Sequence, residues 1–243
     1  MITLKNYLRR YTNIPALVCL LSEQRITLLD PETWDDKNDS HFLKLYQEKN
    51  GFQSVLALCF TRTSETYHHW RVFANGSSGV CITFKRDQLL DAVGKQAGIR
   101  SGVVKYLTLP AMRRTKPAIR ELPFWKRYPF EHEREFRIIY ESRERVKNID
   151  IPIPLSCIDR ITLSPWLNQR LSTHVKRNLW SIAGCRNLEI VRSTLISNEE
   201  WKTFGESATS LAPACGRRSL ASSSLISDGL LGSNAPSINP NLQ

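Results

Sequence analysis

Phe130-Glu131-His132-Glu133-Arg134-Glu135-Phe136-Arg137-Ile138-Ile139-Tyr140 is where charge density and strand pattern coincide in this chain as nowhere else. Read as a β-strand, its period of two sets Phe136, Ile138 and Tyr140 on one face and Glu133, Glu135 and Arg137 on the other. Two carboxylates and a guanidinium then share a surface. One reading is an exposed sheet edge whose charges keep it from pairing with other sheets. The other is chemical: a carboxylate that orients a substrate hydroxyl or steadies a developing cation, with Arg137 holding it ionised or binding a phosphate.

Working outward, short apolar runs alternate irregularly with helical patterns. Tyr7 to Tyr11 and Arg25 to Leu29 read as strands, joined by a helix with Pro15 in its first turn and Leu17, Leu20 and Leu21 as its apolar stripe. The unbroken apolar run Ser54 to Thr61 belongs in the middle of a sheet. Val80 to Phe84, Val103 to Leu107, Ile158 to Leu163 and Leu188 to Val191 complete the strands. Helices are expected at His41 to Lys49, Glu65 to Ala74, from Asp87 to about Gln96, and at Pro165 to Ser181, with a short one at Asn198 to Phe204. Strands and helices in this irregular order predict an α+β domain over residues 1–205, with a central mixed or antiparallel sheet of about seven strands and flanking helices. Residues 206–243 lack aromatic side chains and are rich in Ser, Gly and Pro, which predicts a disordered tail.

With 243 residues, 41% of them hydrophobic, a packed core is expected. The formal charge of +11 suits a polyanionic partner, nucleic acid or nucleotide, or simply serves solubility. The six cysteines are scattered with no C-x-x-C pair, which excludes zinc-finger spacing and points to free thiols in a reducing compartment. Absence of an apolar segment long enough for a signal peptide or membrane span gives the expectation of a cytoplasmic protein without a membrane partner.

Other candidates are weaker. Trp34-Asp35-Asp36 with Asp39 lacks the spaced oxygen ligands and glycine of a calcium loop, and no metal is expected; Trp34 reads as docked on the core. His68 and His69, adjacent on a helix, point about 100° apart, too divergent for one metal, though one of them suits the orienting of a ligand. Between Pro110 and Pro129, Arg113, Arg114, Lys126 and Arg127 interleave with Trp125 and Tyr128, a composition suited to phosphates and single-stranded bases.

An ordered set of landmarks resembles a bacterial and phage family known only as domain of unknown function 2971. These are Arg10-Tyr11-Thr12, Arg25-Ile26-Thr27-Leu28, Trp34-Asp35-Asp36, Cys59-Phe60-Thr61, Trp70 followed by Gly79-Val80-Cys81-Ile82-Thr83-Phe84, and Phe130-x-x-Glu133-x-Glu135-Phe136-Arg137. Trp34 and Asp35 stand where that family usually has Phe and Asn. The order of a basic residue on the first strand, Thr ending a later strand and Glu-x-Glu on a late strand is also similar to ADP-ribosyltransferases. That resemblance implies NAD as cofactor, with Arg9 or Arg10 gripping its pyrophosphate, Thr61 supporting the ribose, and Tyr11 or Trp70 stacking on nicotinamide. Glu135, with Glu133 beside it, is then the catalytic carboxylate of a toxin or phage-defence enzyme. The rival expectation is a non-enzymatic, basic nucleic-acid-binding or regulatory module of a mobile-element system.

Overall fold

The computed structural model describes residues 6–74, 76–115 and 117–210; the expected tail lies outside them from residue 211 onward. The α+β expectation holds, with a wider sheet. Among the described residues nine strands form one mixed sheet. These are β1 (Tyr7–Asn13), β2 (Arg25–Leu29), β3 (Ser54–Thr61), β4 (Gly79–Lys85), β5 (Ile99–Val103), β8 (Glu135–Ser142), β9 (Asn148–Pro152), β10 (Ile158–Leu163) and β11 (Glu189–Arg192). Only β10 and β11 pair in parallel within it. β6 (Lys105–Leu107) and β7 (Trp125–Arg127) make a separate parallel pair. The helices are α1 (Ile14–Glu23), α2 (Lys37–Asn50), α3 (Tyr67–Phe73), α4 (Arg86–Val93), α5 (Leu109–Arg114) and α6 (Gln169–Trp180). A further helix, α7 (Glu199–Ser210), belongs to a second compact unit and is described by itself.

Across the sheet the order is β11-β10-β4-β1-β3-β2-β9, with β8 on the other edge of β3 and β5 outside β8. β8 pairs with β3 from Ser54↔Ser142 to Thr61↔Glu135. The opposite edge of β3 is shared: β1 meets it at Arg9↔Thr61 and β2 at Leu29↔Ala57. The sheet therefore divides beside β3, and Arg10 reaches from β1 to within 3.5 Å of the Cys59 carbonyl there.

Alternation along the strands builds two faces. Leu8, Leu56, Leu58, Phe60, Ile82, Phe84, Phe136 and Ile138 pack on Leu17, Leu20 and Leu21 of α1 and on Leu89 and Val93 of α4 in the main core. On the opposite face α2 sets Leu43 and Tyr46 against Val55, Ala57 and Ile139, while α3 sets Trp70 against Tyr11 and Cys81. Each such fully buried side chain contributes about 2 kcal/mol. The residues left between the α2 and α3 footprints are polar, and that is where a cavity opens.

Sequence landmarks fix the helices that frame it. Asp36 caps α2 by accepting from the backbone N–H groups of Asn38 and Asp39, and Gly51, at φ 67°, closes it. That start is four residues earlier than the apolar pattern suggests and brings Asp39 into the first turn. Thr66 likewise caps α3 through the His69 N–H.

Candidate functional site

One line of directly paired residues forms the floor. Arg9 of β1 lies opposite Thr61 of β3, and Thr61 lies opposite Glu135 of β8. Directly paired residues point to the same face, so the Arg, Thr and Glu of the sequence pattern stand side by side on three strands. Arg9 Nη1 donates to the Thr63 carbonyl at 2.8 Å, and the Thr61 hydroxyl donates to the Glu133 carbonyl at 2.6 Å.

The exposed-edge reading of the Glu-Glu-Arg face is overturned, because β8 is enclosed between β3 and β5. Glu133, Glu135 and Arg137 are 8%, 4% and 0% exposed. Glu133 is not on the strand either. It ends a 3-10 turn (Tyr128–Glu133), Arg134 follows in the left-handed region at φ 46°, and the strand begins only at Glu135. The kink, rather than strand periodicity, brings both carboxylates to one place.

A compact charge cluster holds them. Arg137 donates from Nη1 and Nη2 to the two oxygens of Asp39 at 2.8 and 2.6 Å, and from Nε to Glu135 at 2.7 Å. Lys126 Nζ lies 2.6 Å from Glu133, 3.5 Å from Glu135 and 3.7 Å from Asp39. The Tyr106 hydroxyl accepts from the Glu135 backbone N–H. Burial pushes the Glu135 carboxyl up, but the Arg137 guanidinium and the Lys126 ammonium outweigh it and hold the group at about 2. Burial wins at Glu133, which is raised despite Lys126. Glu135 is thus a fixed anion at any physiological pH, whereas the Glu133 carboxyl, raised by burial, holds a proton more readily than Glu135 does.

The cavity above this floor measures about 460 Å³. Arg9, Arg10, Tyr11, Thr61, Lys126, Glu133 and Glu135 all line it, so these sequence candidates converge. Asp35, Asp36 and Asp39 add acid on the α2 side, and Val72 and Phe73 of α3 add an apolar wall. His69 also faces it; burial lowers its pKa, and its Nε2, 3.4 Å from the Glu133 carbonyl, takes the donor role while Nδ1 accepts from Thr66. Among the described residues, Tyr11 Oη and Asp36 Oδ2 are buried without a hydrogen-bond partner, although both side chains belong to the cavity wall.

Other candidates fall elsewhere. Trp70 is fully buried beneath Tyr11, with Nε1 donating to Glu65, and does not line the cavity. The reason is helical spacing: His69 and Phe73, four residues apart, share the cavity side, and Trp70 turns into the sheet. Arg137 is sealed behind Glu135, its N–H groups taken by Asp39, Glu135 and the Pro123 carbonyl, so no phosphate reaches it. Lys126 turns inward along β7 and is a counter-ion of the cluster, while Arg113, Arg114 and Arg127 are exposed outside the cavity. Trp34 is docked, as read, on the core cluster of Leu43, Tyr46 and Leu122; it also lines the cavity and lies 5.0 Å from the Arg137 guanidinium. Asp39 was unforeseen as a site residue; its signal was Asp36 as a cap three residues earlier. Among the described residues no group of three or more His, Cys, Asp or Glu is placed to hold a metal ion, and no helix is long and apolar enough to cross a membrane.

The fold and site thus define an α+β domain with a polar cavity on one sheet face, acidic at one end and basic at the other. No family model matches the chain, and no curated protein matches it. Solved structures of Thermus sp. 2.9 DarT are similar to it. Those in complex with ADP-ribosylated ssDNA, with carba-NAD+ and with NAD+ give TM-scores of 0.42, 0.41 and 0.41 at 10%, 9% and 11% identity, covering 77% of this chain. They are covered over 94%, 95% and 95% of their own chains.

Proposed function

We infer that the chain is an NAD-consuming, ADP-ribosyltransferase-like enzyme of the cytoplasm, of toxin or phage-defence type. The observation that carries this reading is the polarity of the cavity. Arg9 and Arg10 form a basic pole on β1, and Asp35, Asp36, Asp39, Glu133 and Glu135 outnumber Lys126 at the other. A matching ligand needs an anionic group and a cationic centre about two strand spacings, roughly 10 Å, apart. NAD has both, in its pyrophosphate and its nicotinamide-bearing ribose.

In this arrangement Arg9 and Arg10 hold the pyrophosphate, Thr61 faces the ribose, and Tyr11 or Phe73 supplies a ring surface for nicotinamide. The ribose–nicotinamide bond breaks with its electron pair leaving on nicotinamide, and Glu135, already ionised, opposes the positive charge left on the sugar. A nucleophile then bonds to the same sugar carbon and its proton passes to Glu133. Incubating the protein with labelled NAD and cell lysate tests this: nicotinamide release is expected, with Glu135→Gln slower by about 10²–10³-fold. No release with protein or nucleic-acid acceptors would sink the reading.

One observation favours the rival, a nucleic-acid-binding or regulatory module. Among the described residues Arg113, Arg114 and Arg127 are exposed and form no ion pair, as cations awaiting phosphates are. The same feature suits a nucleic-acid acceptor of the enzyme.

A further inference from the structure

The line of paired residues does not stop at Arg9. Across β1 its other neighbour is Thr83 of β4, and Thr83 is paired in turn with Arg160 of β10. Glu135, Thr61, Arg9, Thr83 and Arg160 therefore form a single polar row across five adjacent strands on one face of the sheet. Four strand spacings separate its ends, about 19 Å. On the opposite face the neighbours of these residues, Leu8, Phe60, Ile82, Ile161 and Phe136, are core. Polar side chains in the interior strands of a wide sheet need a reason, because apolar residues at the same places would add to packing.

The far end of the row has its own cavity. It measures about 180 Å³ and is lined by Arg9, Thr83, Arg160 and Thr162, with Glu65 and Asp159 at its side. Arg9 belongs to both cavities. Arg160 pairs with Glu189, at 3.0 Å in a half-exposed pair of the kind that gives up its partner at little cost. Arg9 commits one of its N–H groups to Thr63. Glu65 is fixed by Trp70 Nε1 and the Ser193 hydroxyl. The chemistry on offer is two guanidiniums for a phosphate, two hydroxyls, and two carboxylates able to accept from a ribose diol or an exocyclic amine.

We propose that this second cavity is an adenylate-binding subsite, holding the distal half of a dinucleotide whose pyrophosphate lies at Arg9, where the two cavities meet. This rests on the NAD reading above and adds to it a path across the sheet: nicotinamide and its ribose between α2 and α3, adenosine over β4 and β10. Arg160 and Thr83 are its specificity-determining residues. A substrate lacking the adenylate half fills only the first cavity.

Calorimetric titration of the full chain with NAD, ADP and nicotinamide mononucleotide separately is the test. ADP and NAD are expected to bind, each about tenfold more weakly to Arg160→Ala and several-fold more weakly to Thr83→Val, with nicotinamide mononucleotide unaffected by either. If the mononucleotide binds and ADP does not, or if Arg160→Ala weakens neither ADP nor NAD, the subsite is overturned while the NAD reading stands. If ADP binds through Arg160 and the mononucleotide does not bind, the subsite stands as a nucleotide site and the transferase reading falls. Failure of all three ligands to bind overturns both.

Discussion

Asp39 and Arg137, 98 positions apart in the chain, meet as a fully buried two-point ion pair beneath the cavity, with Nη1 and Nη2 each donating to one carboxylate oxygen. The pair fixes the first turn of α2 to β8 and leaves only the Nε of Arg137 for Glu135. Removing Asp39 takes from the buried guanidinium one of its two carboxylates and two of its hydrogen bonds, so Asp39→Ala is expected to cost about 3 kcal/mol in urea unfolding. Arg137→Met removes the same pair and takes from Glu135 its 2.7 Å partner as well, so it is expected to cost more than Asp39→Ala. An Asp39→Ala protein as stable as the wild type would mean that the pair does not hold α2.

Stability is also expected to depend on acid through Glu135. Its folded value, about 2, lies below the ordinary 4.5, so the carboxylate's contribution is complete above pH 5 and is lost as pH falls from there through 2. Glu133, raised by burial, leans in the opposite sense, so the informative quantity is a comparison. Between pH 5 and 2 the wild type should lose more unfolding free energy than Glu135→Gln. Parallel curves would show that Glu135 is not held by Arg137 and Lys126 in solution.

What the sequence made legible was local. The run Ser54 to Thr61 announced a central strand, and Pro15 announced the first turn of α1. Arg9, Thr61 and Glu135 were found by their order along the chain, and their convergence follows from pairing that only the fold supplies. β9 was missed because Asn148 to Pro152 carries a single buried residue, Ile151, and so has no apolar run to show. β7 was hidden by Lys126, whose charge reads as surface until Asp39, Glu133 and Glu135 are seen around it. Buried charges are illegible for a general reason: what makes them tolerable is a partner distant in sequence.

Trp70 and Phe73 separate packing from recognition on α3. Trp70→Ala is expected to destabilise by about 3–5 kcal/mol, since the ring is fully enclosed. The more conservative Trp70→Phe should lower the melting temperature while leaving NAD affinity unchanged. Phe73, 43% exposed on the cavity wall, should behave conversely: Phe73→Ala keeps the melting temperature within a degree or two and weakens NAD binding. A drop in NAD affinity for Trp70→Phe with unchanged stability would return the stacking role to Trp70.

Nucleic-acid binding distinguishes the outward cations from the inward one. On a single strand each phosphate contact contributes about 0.7 to the slope of log affinity against log salt, so Arg113→Ala, Arg114→Ala and Arg127→Ala should each reduce that slope by about 0.7 if the residue meets a phosphate. Lys126 is next to Arg127 on β7, yet its ammonium is spent on three carboxylates, and burial is outweighed by them so that its pKa is raised. Lys126→Ala is therefore expected to leave the salt slope unchanged. Its effect should fall on stability, and on Glu135, which loses one of the two cations that keep it ionised. Fluorescence anisotropy with a labelled single strand across a salt series measures the slopes. A reduced slope for Lys126→Ala, with stability intact, would place that side chain at the nucleic acid and dismantle the charge cluster on which the catalytic reading of Glu133 and Glu135 depends.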